Sequence, residues 1–102
     1  MSDAPEPETS EQNRLMGCSR SEFHHSVKAL LPESGWTRNG ESYRWEIGNG
    51  SVELEAGEQT VQRIASLELP RLNVVLRFRG VNEEAKAAFL RRFEIAFQRG
   101  GG

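Results

Sequence analysis

The sequence has 102 residues, 36% of them hydrophobic and 27% charged, with a formal charge of -2. That is room for one core, and the balance excludes a low-complexity or disordered chain. No stretch approaches the roughly 20 apolar residues of a membrane-spanning helix. The acidic residues Asp3, Glu6, Glu8 and Glu11 contribute -4, so residues 13 onward carry +2, too little basic excess to argue for nucleic acid or an anionic membrane. The first residues lack the basic flank and apolar segment of a secretory signal, and Cys18 is the sole cysteine. Both point to a soluble protein of a reducing, cytoplasmic compartment.

Residues 1–17 are rich in Pro, Glu, Ser and Thr without apolar periodicity, and are expected to form a flexible acidic tail. Within it, Leu15-Met16-Gly17-Cys18 matches a short lipoprotein cleavage box, but polar residues precede it where an apolar segment is required. A single domain is expected over 18–99, with 100–102 as a glycine tail. The first helix should open at Ser19, whose spacing to Glu22 is that of a capping box. Phe23, Val27, Leu30 and Leu31 then make one apolar face up to Pro32.

Asn39-Gly40 predicts a tight hairpin between a short strand at 36–38 and a strand in which Tyr43, Trp45 and Ile47 alternate with Ser42, Arg44 and Glu46. Gly48-Asn49-Gly50 predicts a second reversal, followed by Val52, Leu54 and Ala56 on the inner face, with Gly57-Glu58 closing that strand. Residues 60–69 read as another strand with Val61, Ala65, Leu67 and Leu69 inward and a bulge near Arg63. A turn at Pro70-Arg71 then leads to a strand that buries Leu72, Val74, Leu76 and Phe78. The last helix is capped by Asn82, has Glu83 and Glu84 in its first turn, and presents Ala85, Phe89, Phe93, Ala96 and Phe97 on one face.

These elements specify an α+β fold, a four- to five-stranded antiparallel meander sheet with N- and C-terminal helices packed on one face. The helix, strands, helix order is similar to that of the frataxin family over residues 20 to 98. The resemblance is one of element order. The family's acidic first helix is absent, Ser21 to Leu31 holding only Glu22, so no iron function is carried over.

Candidate chemistry is sparse. His24 and His25 are adjacent on a helix and so diverge by about 100°, which suits solvent-facing side chains better than two ligands of one metal. A serine or cysteine nucleophile would need an orienting carboxylate beside a histidine, and the one aspartate is Asp3. No catalytic residue, metal site or cofactor is therefore assigned. Arg99-Gly100-Gly101-Gly102 resembles the terminal Gly-Gly of ubiquitin-like sulfur carriers over two or three residues. There it follows a strand, and here it follows a helix.

The outer sheet face is expected to carry Arg44, Arg77 and Arg79 among Glu46, Glu53, Glu55 and Glu68, with Ile64 and Val75 as an exposed apolar centre. Tyr43, Trp45 and Phe78 point the other way, so this face has no stacking platform for single-stranded nucleic acid. Arg44, Ile64, Val75, Arg77 and Arg79 are accordingly the candidate binding residues of a noncatalytic adaptor whose partner is another protein or a second copy of itself. The alternatives are a carrier using its C-terminal glycines and a small enzyme using exposed carboxylates.

Overall fold

The structure is a computed structural model that describes residues 9–100. It is an α+β fold with five antiparallel strands and two helices. In chain order these are β1 (Thr9–Met16), α1 (Arg20–Val27), β2 (Trp36–Asn39), β3 (Ser42–Ile47), β4 (Gly50–Ile64), β5 (Leu67–Arg79) and α2 (Glu83–Gly100). Strands β2 to β5 form a meander, and β1 completes the sheet beside β5 in the order β1-β5-β4-β3-β2. Gly101 and Gly102, on which a carrier role would rest, lie outside the described residues.

The expected tail is corrected by β1, which pairs with β5 from Thr9↔Arg79 to Met16↔Leu72. Its half-buried positions, Ser10, Gln12, Arg14 and Met16, are mostly polar, so no apolar alternation marks it. Backbone pairing to the buried strand β5 holds it in place. Residues 1–8 lie outside the described residues.

In α1 the capping box forms as expected. The Glu22 N–H donates to Ser19 Oγ at 3.2 Å and the Ser19 N–H donates to Glu22 Oε1 at 2.8 Å. The helix ends earlier than Leu31, and the Leu30 N–H turns back to the Val27 carbonyl at 2.8 Å. Helix α2 is capped by Asn82, whose Oδ1 accepts from the Ala85 N–H at 2.7 Å.

Both helices contribute to one core with the inner sheet residues Tyr43, Trp45, Val52, Leu54, Leu72, Val74, Leu76 and Phe78. Aromatic contacts bind the layers. Phe23 of α1 meets Tyr43 and Phe97, with ring centroids 6.1 and 5.9 Å apart. Phe89 of α2 meets Trp45 at 5.9 Å and Phe78 at 5.7 Å. Such pairs add roughly 0.5–1.5 kcal/mol each beyond area burial. Cys18 belongs to this core.

The β3–β4 reversal is tight enough that a Cβ on Gly50 would stand 2.1 Å from the Arg79 carbonyl oxygen, which makes glycine obligatory where two backbones touch.

The largest departure from expectation is at β4 and β5. Gly57-Glu58 does not close β4. It forms a bulge, because β4 advances three residues from Ala56 to Gln59 while β5 advances two between their partners Val74 and Leu72. Beyond it the chain continues to a reversal at Ala65-Ser66, where Ala65 takes a left-handed φ of 55°. The expected turn at Pro70-Arg71 is instead strand, Pro70 pairing with Val61. A proline is tolerated there because β1 ends opposite Leu72, leaving that edge of β5 open.

Residues 60–71 thus form a two-stranded arm reaching about 17 Å past the sheet. The radius of gyration, 15.2 Å, exceeds the roughly 13 Å of a compact chain of this length. The arm explains the excess: the molecule measures 62 × 27 × 26 Å.

Candidate interaction surface

On the outer sheet face the strand register arranges charges in rows. Arg44, Glu53, Arg77 and Glu11 stand opposite one another across β3, β4, β5 and β1, an alternation of sign over four strands. Arg77 is its hub, its Nε donating to Glu11 Oε1 at 3.0 Å and its Nη1 to Glu53 and Glu55 at 3.1 and 2.8 Å. Hydrogen bonds to Glu55 and Glu11, the largest causes, raise the Arg77 pKa above its already high value. Three of the five guanidinium N–H donors are so engaged, those of Nε and Nη1.

The next row holds Glu46, Ser51, Arg79 and Thr9. Arg44 and Arg79 make no ion pair among the described residues and border a shallow concavity of about 470 Å³ with Thr9, Ser51 and Arg77. Val75, expected to be exposed, is 8% exposed. It sits in the row between Asn13 and Glu55, where the long side chains around it shield it. Ile64 is exposed but lies at the tip of the arm, eleven residues along β4 from Glu53. At about 3.3 Å per residue, that is roughly 36 Å from the Arg77 row. The five candidate residues therefore do not form one patch. Arg44, Arg77 and Arg79 share the sheet face, Val75 is shielded among them, and Ile64 belongs elsewhere.

Among the described residues, four of the seven large exposed apolar side chains lie on the arm, the others being Leu15, Trp36 and Ile95. Val61, Leu67 and Leu69, expected inward, are 57%, 60% and 38% exposed, and Ile64 is 49% exposed. They stay exposed because, among the described residues, no third strand pairs with residues 60–71. Register places Ile64 opposite Leu67 and Leu69 opposite Gln62 on one face, with Val61 opposite Pro70 on the other. At the base of the first face stands Leu15, 65% exposed and opposite Asn73. An apolar face of this kind on a folded domain is the usual mark of a contact surface. Sequence reasoning missed it because the reversal at Ala65-Ser66 has no glycine or asparagine.

Two other features differ from expectation. His24 is no free surface histidine: its Nδ1 lies 2.7 Å from Tyr43 Oη and its Nε2 lies 2.8 Å from Glu41 Oε2. The neutral tautomer satisfies both, accepting the buried Tyr43 hydroxyl at Nδ1 and donating from Nε2 to the carboxylate. Arg20 Nε stands 3.4 Å from the same Glu41 oxygen. The network ties α1 to the β2–β3 turn. Burial, with Glu22 as a lesser cause, pushes the Cys18 thiol up to about 11, which keeps it protonated and a poor nucleophile.

Among the described residues no three His, Cys, Asp or Glu side chains converge as a metal would need, and no described helix is long and apolar enough to cross a membrane. A shallow groove of about 520 Å³ runs between the helices, lined by His25, Ala29, Leu30, Arg92 and Ile95.

The chain matches no protein-family model, no curated protein and no solved structure.

Proposed function

We propose that this chain is a noncatalytic protein-binding module whose contact surface is the β4–β5 arm. One observation carries the reading: four large apolar residues, Val61, Ile64, Leu67 and Leu69, stand exposed together on a projecting two-stranded arm. Covering apolar surface is worth roughly 25 cal/mol per Å², so a partner that takes up this arm gains what the fold itself leaves unused. The sheet's outer face has a different character. Arg77 holds Glu11, Glu53 and Glu55 within the chain, and rows of alternating charge stabilise a sheet without a partner.

The test is a double substitution, Ile64→Ser with Leu67→Ser, in the full chain expressed in the cell that makes it. Because both side chains are already exposed, the urea unfolding midpoint should stay within about 0.5 kcal/mol of the parent. Stoichiometric association, read by native mass spectrometry of the purified complex, should be lost. Association that survives the double substitution would remove the arm from the account.

A further inference from the structure

We infer that β1 holds a second binding site, independent of the arm, whose open edge takes up an extended peptide segment of another protein as an added strand. The segment runs antiparallel to β1, with an apolar residue opposite Met16 and an acidic residue opposite Arg14.

The backbone supplies the first argument. β1 stands at the end of the strand order, and among the described residues no strand pairs with its far side. In an antiparallel pair, alternate residues turn both their N–H and their C=O away from the partner strand. Over the eight residues Thr9–Met16, four residues therefore present four donors and four acceptors along the open edge. Another extended backbone matches such a row group for group. The other edge of the sheet is blunted by its shortness, β2 having four residues. β1 is twice as long and contains neither proline nor lysine. Its register with β5 runs unbroken from Thr9↔Arg79 to Met16↔Leu72, so no bulge twists the edge away.

The side chains supply the second argument. Arg14 and Met16 stand opposite the core residues Val74 and Leu72, which puts both on the core side of the sheet. There a groove of about 310 Å³ lies between β1 and α2, lined by Arg14, Met16, Cys18, Glu94, Phe97 and Gln98. An added strand turns every second side chain to that side. Met16, Cys18 and Phe97 offer apolar surface to one of them. Arg14 makes no ion pair among the described residues, and residues directly opposite in a ladder have Cβ atoms about 4.5–5.5 Å apart, within reach of a carboxylate. A charge turned inward at an edge discourages indiscriminate pairing, so Arg14 admits a strand that brings a carboxylate and rejects one that brings a cation. On the outer side Leu15, 65% exposed, gains an apolar neighbour. Read from its N-terminus, the partner segment is apolar, apolar, acidic.

The probe is a capped peptide, Leu-Val-Glu-Thr-Thr-Lys-Thr-Thr, whose first three residues fall opposite Met16, Leu15 and Arg14. Amide hydrogen exchange of the full chain, read residue by residue by NMR, tests the site. In the free chain every second amide of β1 should exchange rapidly. The peptide at about millimolar concentration should slow those same amides and leave the arm unchanged. Of two peptides N-methylated at alternate residues, one should lose binding and the other keep it. Arg14→Glu should weaken binding of the probe at least about tenfold and restore it to a peptide with Lys in place of the Glu. The Ile64→Ser/Leu67→Ser variant should bind the probe like the parent.

Alternate β1 amides that are already slow in the free chain would overturn the inference, since the chain itself, or at rising concentration a second copy, would then cover the edge. So would a probe that leaves the β1 amides unchanged, or an Arg14→Glu variant that binds both peptides alike. Binding lost in the Ile64→Ser/Leu67→Ser variant would assign the peptide to the arm, removing the edge site and leaving the proposed function standing.

Discussion

Replacing Arg77 by glutamine removes the one cation around which Glu11, Glu53 and Glu55 gather at 2.8–3.1 Å. Arg77 is 40% exposed and its partners 33–54%, so each pair is a solvent-screened one worth roughly 0.2–1 kcal/mol. Three such pairs, with the mutual repulsion of three carboxylates left behind, give an expected loss of about 1–2 kcal/mol. In urea, with a slope of about 1–1.5 kcal/mol per molar for a chain of this size, the midpoint should fall by roughly 1 M. Because the effect is electrostatic and partly exposed, raising salt from about 0.05 M to 1 M should erase at least half of it. A loss below about 0.3 kcal/mol at low salt, or one that salt does not reduce, would refute this account of Arg77. The same geometry makes Arg77→Glu a poor probe of binding, since four carboxylates would then crowd one spot.

Four further outcomes follow from the structure. Gly50→Ala should cost about 3 kcal/mol in urea unfolding, because its Cβ would meet the Arg79 carbonyl oxygen at 2.1 Å. Gly40→Ala, with φ at 63° but open space around it, should cost only about 1–2 kcal/mol. His24→Ala leaves the buried Tyr43 hydroxyl without its partner and should cost about 1–3 kcal/mol, whereas the double change with Tyr43→Phe should recover part of that loss. For Cys18, the folded value of about 11 stands above the ordinary 9.0. Its contribution to stability is therefore intact below pH 9 and is lost as pH rises from 9 through 11. The parent should lose up to about 3 kcal/mol over that window that Cys18→Ala does not lose, as read by urea midpoints at each pH.

The sequence was legible wherever apolar alternation and turn chemistry agreed. Tyr43, Trp45, Val52, Leu54, Leu72, Val74, Leu76 and Phe78 reach the core as their spacing implied, and Ser19 and Asn82 cap the two helices. It failed where strand structure came from pairing alone. Nothing apolar alternates in Ser10, Gln12 and Arg14, yet β5 recruits that segment as an edge strand. The arm was read inside out for a related reason. Val61 and Leu69 look like core residues by type, but the reversal at Ala65 has no glycine to announce it, and among the described residues no third strand pairs with residues 60–71.

The candidate site was half legible. Arg44, Arg77 and Arg79 do share the outer face, while Val75 is shielded and Ile64 lies far along β4. Register across non-adjacent strands, which decides such groupings, cannot be read from one strand at a time.

The most direct test of the arm as the contact surface is photo-cross-linking in the cell that makes the protein, with a photoreactive residue placed at Leu67 or, as a control, at Arg44 on the outer sheet face. The account predicts a discrete adduct from position 67, whose mass identifies a second copy or another protein, and little from position 44. A discrete adduct from position 44 with none from 67 would contradict it and return the contact surface to the sheet.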